Sequence, residues 1–568
     1  MDVIIGAGVS GLTYANFTKN DYLVLEQDDH TGGLCNTIFQ DGFVWDYSGH
    51  FFHFQDPHIA QFISERIDQS KLIKVDKHTQ IRYKNRLIDF PFQKNIHQLP
   101  QQEFIDCLCD LFEKDENQES TFKGMLYAKL GKSIAEKFLI PYNSKLYATD
   151  LDKLDADAMG RFFPYADKEE IIRNFRQSKN DSYNGSFLYH KGGAIEYVHA
   201  LERDLDANKI ALNEQVVSID TKNHIVKTNK RTIQYDHLIS TIPFTQLLQL
   251  CQIPYYQHVL TSNKVLVFNL GFDGKGLDTK NHWIYFPEKK YCFYRVGFYS
   301  NIIPADRMSL YVEIGFNSNA ALDIDKMLAR TLEDLQKARI VNNERLLSWH
   351  SVVMNPAYVH INKQGIDEVN RCKEKLARHD IYSIGRYGSW NYSSIEDNMK
   401  EAIHLSSTLK TENTLCSNTQ NDFYLTSVSG VKNSNSAAAK TPSGSVSKTK
   451  NGVIQWPASV TTKPSNVTAL LEKSNTFNNA PLLNKVSSIS RNIIRVQNYC
   501  SLFRTLSGFS LCPVRRSSGL RSFFVLQANC IRRSSSSFFF FRAIRLLRYT
   551  LLIVTVVCLF RGDCIAAL

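Results

Sequence analysis

The chain opens on MDVII, a short run apolar but for Asp2, followed by the glycine-rich GAGVSG. A segment at 10–17 then carries its apolar residues at helical spacing, and a second apolar run, DYLVLEQ, follows at 21–27. Short apolar runs bounded by turn residues read as buried strands, and two of them joined by a helix form a βαβ unit with parallel strands. At 101–147 the period changes. EFIDCLCDLF and KSIAEKFLIPY repeat apolar residues every three or four positions, which predicts helices with one buried face. From 216 onward short strand-like runs dominate: VVSIDTKNHIVKTN, YDHLISTIP, NKVLVFNLGF, HWIYFPE, YCFYRVGFY and LYVEIGF, broken by Gly, Asn and Pro. The stretch 327–338 is helical again, 381–388 reads as a strand ending in a glycine turn, and EDNMKEAIHL starts another helix. The pattern predicts an α/β protein with a helical insertion and an antiparallel sheet.

This patterning stops near residue 409. The remaining stretch is rich in Ser, Asn, Thr and Lys and ends in RRSSSSFFFF and RAIRLLRYTLLIVTVVCLF. Its first half has the composition of a disordered segment. A Phe run beside a Ser run has no packing logic, so the preferred reading of 409–568 is a low-complexity basic tail, disordered or a gene-model artefact; a linker with a membrane-seeking end is the other. Its longest apolar run, 550–560, is eleven residues, about 16 Å of helix, and cannot span a bilayer.

The tail also accounts for the charge. The whole chain of 568 residues carries +11, yet 411–568 holds 19 Lys and Arg against 4 Asp and Glu, leaving 48 against 52 in the first 410 residues. The body is slightly acidic, so the net charge gives no reason to expect nucleic acid. Of the 12 cysteines only Cys107 and Cys109 lie close together in the body, which is neither a zinc pattern nor a disulfide framework, and no metal is expected. An apolar strand at the first residues leaves no room for a cleaved leader, so the expectation is a cytoplasmic protein without an integral membrane segment.

Candidate chemistry begins with Gly6, Gly8 and Gly11, a G-x-G-x-x-G after a strand and at the start of a helix. Gly6 permits the tight turn, Gly8 admits a pyrophosphate to the backbone, and Gly11 lets helix and strand approach, while the helix N-terminus offers free N–H groups. Glu26, closing the second strand, suits a ribose diol. A further pair, Gly32 and Gly33 in HTGGLCNT, suits a long extended dinucleotide such as FAD.

This opening resembles the FAD-dependent amine oxidase superfamily. Further segments are similar to one branch, the UDP-galactopyranose mutases, particularly the eukaryotic type: YSGHFFHF at 47–54, DFPFQKNIHQLP at 89–100, FLIPYNSKLYATDL at 138–151, HLISTIPFTQLL at 237–248, FYRVGFYSN at 293–301 and GRYGSWNY at 385–392. The resemblance runs over residues 1 to about 405. It implies a Rossmann-like FAD-binding domain assembled from 1–94, 181–254 and 371–408, a helical substrate or lid domain at 95–180, and an antiparallel sheet substrate domain at 255–370. The implied activity is an isomerase interconverting UDP-galactopyranose and UDP-galactofuranose for glycan biosynthesis, through a covalent flavin–sugar adduct on reduced FAD, with NADPH or NADH as reductant.

The resemblance also implies roles for single residues. His50 belongs to the loop beside the flavin. Arg295 and Arg386 match the arginines that bind the diphosphate, and Arg161 matches a third near the sugar; a surface salt bridge is the plain alternative for Arg161. Asn143 and Asn184 match positions contacting diphosphate and sugar, and Tyr285, Tyr358 and Tyr392 match phenols on the diphosphate. Phe90, Phe92 and Gln93 match the uracil pocket, joined by Trp283. Val216, Gly385, Ile395 and Glu396 fall where the flavin meets backbone. Tyr147 stands where eukaryotic mutases usually carry Trp, and Phe90 where they carry Tyr, while SSIEDNM after Tyr392 is closer to bacterial relatives. The alternative function is an FAD-dependent oxidase or desaturase acting by hydride removal; a flavin-binding scaffold without catalysis is a third. The partner expected is a nucleotide sugar, with a homo-oligomer compatible.

Overall fold

The computed structural model describes residues 1–114, 120–176 and 185–409, all within one compact unit, Met1–Ser434. The expectations for 409–568 therefore fall, apart from Leu409, outside the described residues, as does Asn184.

The centre of the fold is a five-stranded parallel sheet in the order Ile381–Ser383, His237–Ser240, Asp2–Ile5, Tyr22–Leu25, Ile210–Ala211. The side-chain period of two splits the apolar runs between its faces. Ile4, Val24 and Ile239 pack with the helices Val9–Phe17, Ile195–Glu202 and Ile395–Thr408. Val3, Ile5, Leu25 and Leu238 point the other way and are covered by a three-stranded antiparallel sheet, Val216–Asp220, Ile225–Thr228 and Thr232–Gln234, and by the helices Phe244–Leu250 and Lys363–Ala377. This layer makes the region three layers deep rather than a plain βαβ pair, since both faces of so apolar a sheet must leave water.

A second sheet of seven strands runs in the order Leu346–Met354, Asn263–Phe272, Ser309–Asn317, Arg295–Phe298, Trp283–Tyr285, Thr79–Tyr83, Arg86–Asp89. It differs from the expected antiparallel sheet at 255–370 in drawing two strands from before the helical stretch, and the Trp283–Tyr285 pairing with Thr79–Tyr83 is parallel. Strands so distant in sequence need no hairpin, so direction is set by packing rather than by a turn. One face, including Leu310, Val312 and Ile314, is sealed by the amphipathic helix Ile324–Lys337. The other face, including Tyr311, Glu313, Arg295 and Tyr285, looks toward the helical stretch and the parallel sheet.

That stretch consists of Gln101–Phe112, Phe122–Ile134, a π turn at Ala135–Leu139 and Ile140–Tyr147. The wide turn precedes Pro141, which has no N–H to close an ordinary α turn. Gly131, at φ +75°, lets the second helix meet the first: a Cβ there would fall 2.4 Å from the Asp110 carbonyl oxygen. Among the described residues no helix is long and apolar enough to cross a membrane.

Candidate functional site

A cavity of about 940 Å³ lies between the parallel sheet, the helical stretch and the large sheet. One end is built from backbone. Gly6 adopts φ +101°, and a Cβ on it would fall 2.3 Å from Thr241 Oγ1. Gly8 caps the helix Val9–Phe17 with no side-chain acceptor, so the first-turn N–H groups stay available toward the cavity. Gly8 bridges to Gly32, whose N–H donates to the Ala7 carbonyl at 2.9 Å, and Gly33 completes the wall. Gly11 does not line the cavity; a Cβ there would lie 2.0 Å from the Gly6 carbonyl oxygen, so its part is to let helix and turn touch. The buried Glu26 carboxylate accepts from the N–H groups of Ala7 (2.8 Å) and Asp28 (3.0 Å) and reaches the cavity at the strand end. A narrow glycine cradle, an uncapped helix N-terminus and an acid at the second strand fit a dinucleotide.

Val216 lines the same end, while Gly385, Ile395 and Glu396 line the wall farther along. Ser394 and Asp397 form a capping box at the helix Ile395–Thr408, and Glu396 Oε1 accepts from the Gln55 (2.7 Å) and Asp56 (2.6 Å) N–H groups, tying the segment after His50 to that helix.

The opposite end is built from side chains. Arg386 donates to the carbonyls of Ser393 (3.0 Å) and Ala357 (3.5 Å), and its guanidinium lies 4.5 Å from the Tyr392 ring centre and 5.4 Å from that of Tyr358. Among the described residues no carboxylate pairs with it. Tyr358 and Tyr392 stack at 5.8 Å, and Tyr285, Tyr142 and Asn143 continue the wall. His50 lines the cavity between the two ends, its Nδ1 3.1 Å from the Ser48 carbonyl; burial and the nearby Arg386 charge push its pKa down to about 4, so the imidazole is neutral at pH 7.

The other two arginines line the cavity but already have acids. Arg295 binds Glu313 through two contacts, at 2.8 and 2.6 Å, and Glu313 is 1% exposed. Arg161, its side chain 43% exposed, meets both Asp397 oxygens at 2.7 Å. Lys94, also in the wall, pairs with Glu170.

The residues matched to the uracil pocket separate. Phe90 lines the cavity, with its ring 4.9 Å from that of Tyr285. Residues 92–94 form a 3₁₀ turn, which sends Phe92 into the core against Phe138 and Tyr83. Gln93 is fully buried and donates to the Pro164 carbonyl. Trp283 sits behind the wall: its indole N–H donates to the Tyr285 hydroxyl at 2.8 Å and its ring stacks on Phe51. Tyr147 is buried under Tyr358, 5.8 Å between ring centres, and does not reach the cavity. Asn143 donates to the Leu139 carbonyl at 2.7 Å, leaving Oδ1 without a partner among the described residues. Sequence reasoning missed Tyr142, Ser48, Asp397 and Glu313. Tyr142 stands in the quoted PYNSK, and Glu313 interrupts the apolar run LYVEIGF, a charge inside a buried strand.

A family model described as flavin containing amine oxidoreductase matches residues 12–356. Coproporphyrinogen III oxidase of Staphylococcus aureus is 22% identical over 318 residues, 48% of this chain and 68% of that protein. Among solved structures, a reduced UDP-galactopyranose mutase superposes with a TM-score of 0.67 at 23% identity, covering 72% of this chain and 93% of that one. Cyclohexylamine oxidase of Brevibacterium oxydans superposes with a TM-score of 0.53 at 14% identity, covering 72% and 99%. At these identities the structural likenesses establish a shared fold.

Proposed function

Because this chain belongs to the flavin containing amine oxidoreductase family, we propose that its cavity holds FAD in the glycine cradle and a nucleotide sugar against the cationic wall, and that it interconverts UDP-galactopyranose and UDP-galactofuranose. The observation that carries this reading is Arg386, a guanidinium in the cavity wall without a carboxylate partner among the described residues. A cation so placed is stabilised when an anion arrives, and a guanidinium matches phosphate oxygens in shape as well as charge.

Gly6, Gly8, Gly32, Gly33, Glu26, Gly385, Ile395 and Glu396 would hold the flavin, which when reduced supplies a nucleophilic ring nitrogen for exchange at the anomeric carbon. The chain's own part is orientation and charge. Arg386 with the hydroxyls of Tyr285, Tyr358 and Tyr392 holds the diphosphate as it leaves and returns, which stabilises charge where it develops. Neutral His50 keeps a second positive charge away from the ring and shapes its loop through Ser48. Phe90 offers a face for stacking, and the aromatic wall excludes water. NADPH or NADH is the reductant expected.

The test is to incubate chemically reduced protein with UDP-galactopyranose and assay for the furanose by chromatography; no furanose from reduced protein overturns the reading. A second reading, hydride removal by an oxidase, is favoured by the apolar share of the same lining, which includes Phe51, Phe90, Phe138, Met159 and Phe162. It requires turnover with oxygen and indifference to UDP.

A further inference from the structure

Beneath the cationic wall lies an acid that does not itself line the cavity. The strand Ser309–Asn317 pairs antiparallel with Arg295–Phe298 in the register Arg295↔Glu313, so the two side chains are direct cross-strand neighbours on the cavity side. Glu313 takes Arg295 with both oxygens and also accepts from Ser48 Oγ. The Ser48 carbonyl in turn accepts the His50 N–H at 2.7 Å and faces His50 Nδ1 at 3.1 Å. Two residues earlier on the same strand face, Tyr311 fills the space beside Gly49 and Gly297; a Cβ would fall 2.7 Å from its Oη at the first and 1.8 Å from its Cε1 at the second. One strand thus grips the 48–50 loop twice, by Glu313 through a hydrogen bond and by Tyr311 through shape.

We propose that Glu313 is a positioning residue that clamps Arg295 and anchors the Ser48–His50 loop, leaving Arg386 as the main cation for the anionic part of a substrate. An anion that drew Arg295 away would strand Glu313, charged and buried, whereas Arg386 gives up only contacts to carbonyls and tyrosine rings. The anion part of this proposal rests on the proposed function; the loop part does not. It assigns the three arginines of the wall different work: Arg386 for recognition, Arg295 for support, and Arg161 for a surface pair.

The test uses the full, flavin-loaded chain, with UDP and inorganic pyrophosphate as separate probes and amide hydrogen exchange over residues 48–54 as a second readout. Arg386→Gln is expected to weaken pyrophosphate binding ~100-fold, the scale of a lost charge-assisted contact. Arg295→Met with Glu313→Leu, which removes the pair without stranding a charge, is expected to change binding less than about threefold and to speed exchange at 48–54 by at least about tenfold. Glu313→Gln alone is expected to tighten pyrophosphate about tenfold, because Arg295 then lacks its counter-ion. Should the pair removal weaken pyrophosphate as much as Arg386→Gln does, or leave exchange at 48–54 unchanged, the proposal is overturned; failure of the wild-type chain to bind pyrophosphate overturns its anion part. Binding of pyrophosphate without UDP leaves the proposal standing and sinks the nucleotide-sugar reading instead.

Discussion

The two ends of the cavity are made in different ways. The cradle is backbone: Gly6, Gly8, Gly32 and Gly33 work by what they lack, and all lie within the first 33 residues, in a βαβ unit and the loop that follows it. The cationic wall is side chain: His50, Tyr142, Tyr285, Tyr358 and the pair Arg386 and Tyr392 come from five segments brought together by two sheets and a helical layer. A backbone site is specified by local conformation and tolerates little; a side-chain site is specified by long-range packing and tolerates more at each position. Substitutions at the two ends should therefore fail differently.

The largest effect is expected at the cradle. Gly11→Val places atoms where the Gly6 carbonyl already lies, so helix and turn must separate. Bound flavin should be lost altogether, read as the visible absorbance of the purified protein; retention of a full complement of flavin would mean that the turn is softer than its geometry implies.

Next come two phenylalanines from one motif. Phe92 is fully buried between Tyr83 and Phe138, so Phe92→Ala should lower stability by about 3–5 kcal/mol while leaving UDP affinity alone. Phe90→Ala should do the reverse, with a small loss of stability and UDP bound about tenfold more weakly. Denaturant melts and a UDP titration decide between them, and equal behaviour of the two would erase the distinction between core and wall.

The βαβ opening, the helical stretch and the strand-rich half were legible because each rests on a period of hydrophobicity within one segment. The glycines of the cradle were legible for the same reason, since a turn and the strand and helix flanking it are contiguous. Phe92, Gln93, Tyr147 and Trp283 were placed in the substrate pocket by likeness of motif, and the structure puts them behind the wall. No local signal tells a 3₁₀ turn at 92–94 from an extended segment that would keep Phe90 and Phe92 on one side. The acids that meet Arg295 and Arg161 lie 18 and 236 positions away, so charge compensation was invisible until the strands and helices were paired.

A buried acid at the start of the helix Ile195–Glu202 offers a test through its titration. Asp46 accepts from Thr37 Oγ1 (2.7 Å), Ala194 N (2.8 Å) and Tyr189 Oη (2.9 Å), and burial raises its pKa to about 6 despite these bonds. Its folded pKa lies above the unfolded value, so its contribution is fully present below about pH 4 and is lost as pH rises through 6, an effect of about 3 kcal/mol. Asp46→Asn should flatten the stability profile between pH 4 and 6, and an unchanged slope would mean that another group titrates there.

The smallest effect is expected at Arg161. Its pair with Asp397 is partly exposed and screened, so Arg161→Ala should cost under about 1 kcal/mol of stability. Its effect on UDP is more telling than its size, because Asp397 also serves the capping box at the helix Ile395–Thr408 and stays held by Ser394 when the arginine is gone. If Arg161 is only a surface tie, UDP affinity should fall less than about threefold and the fall should shrink further in high salt. A tenfold or greater loss that persists in salt would move Arg161 from the rim to the substrate, and the wall would then recognise its anion with two arginines rather than one.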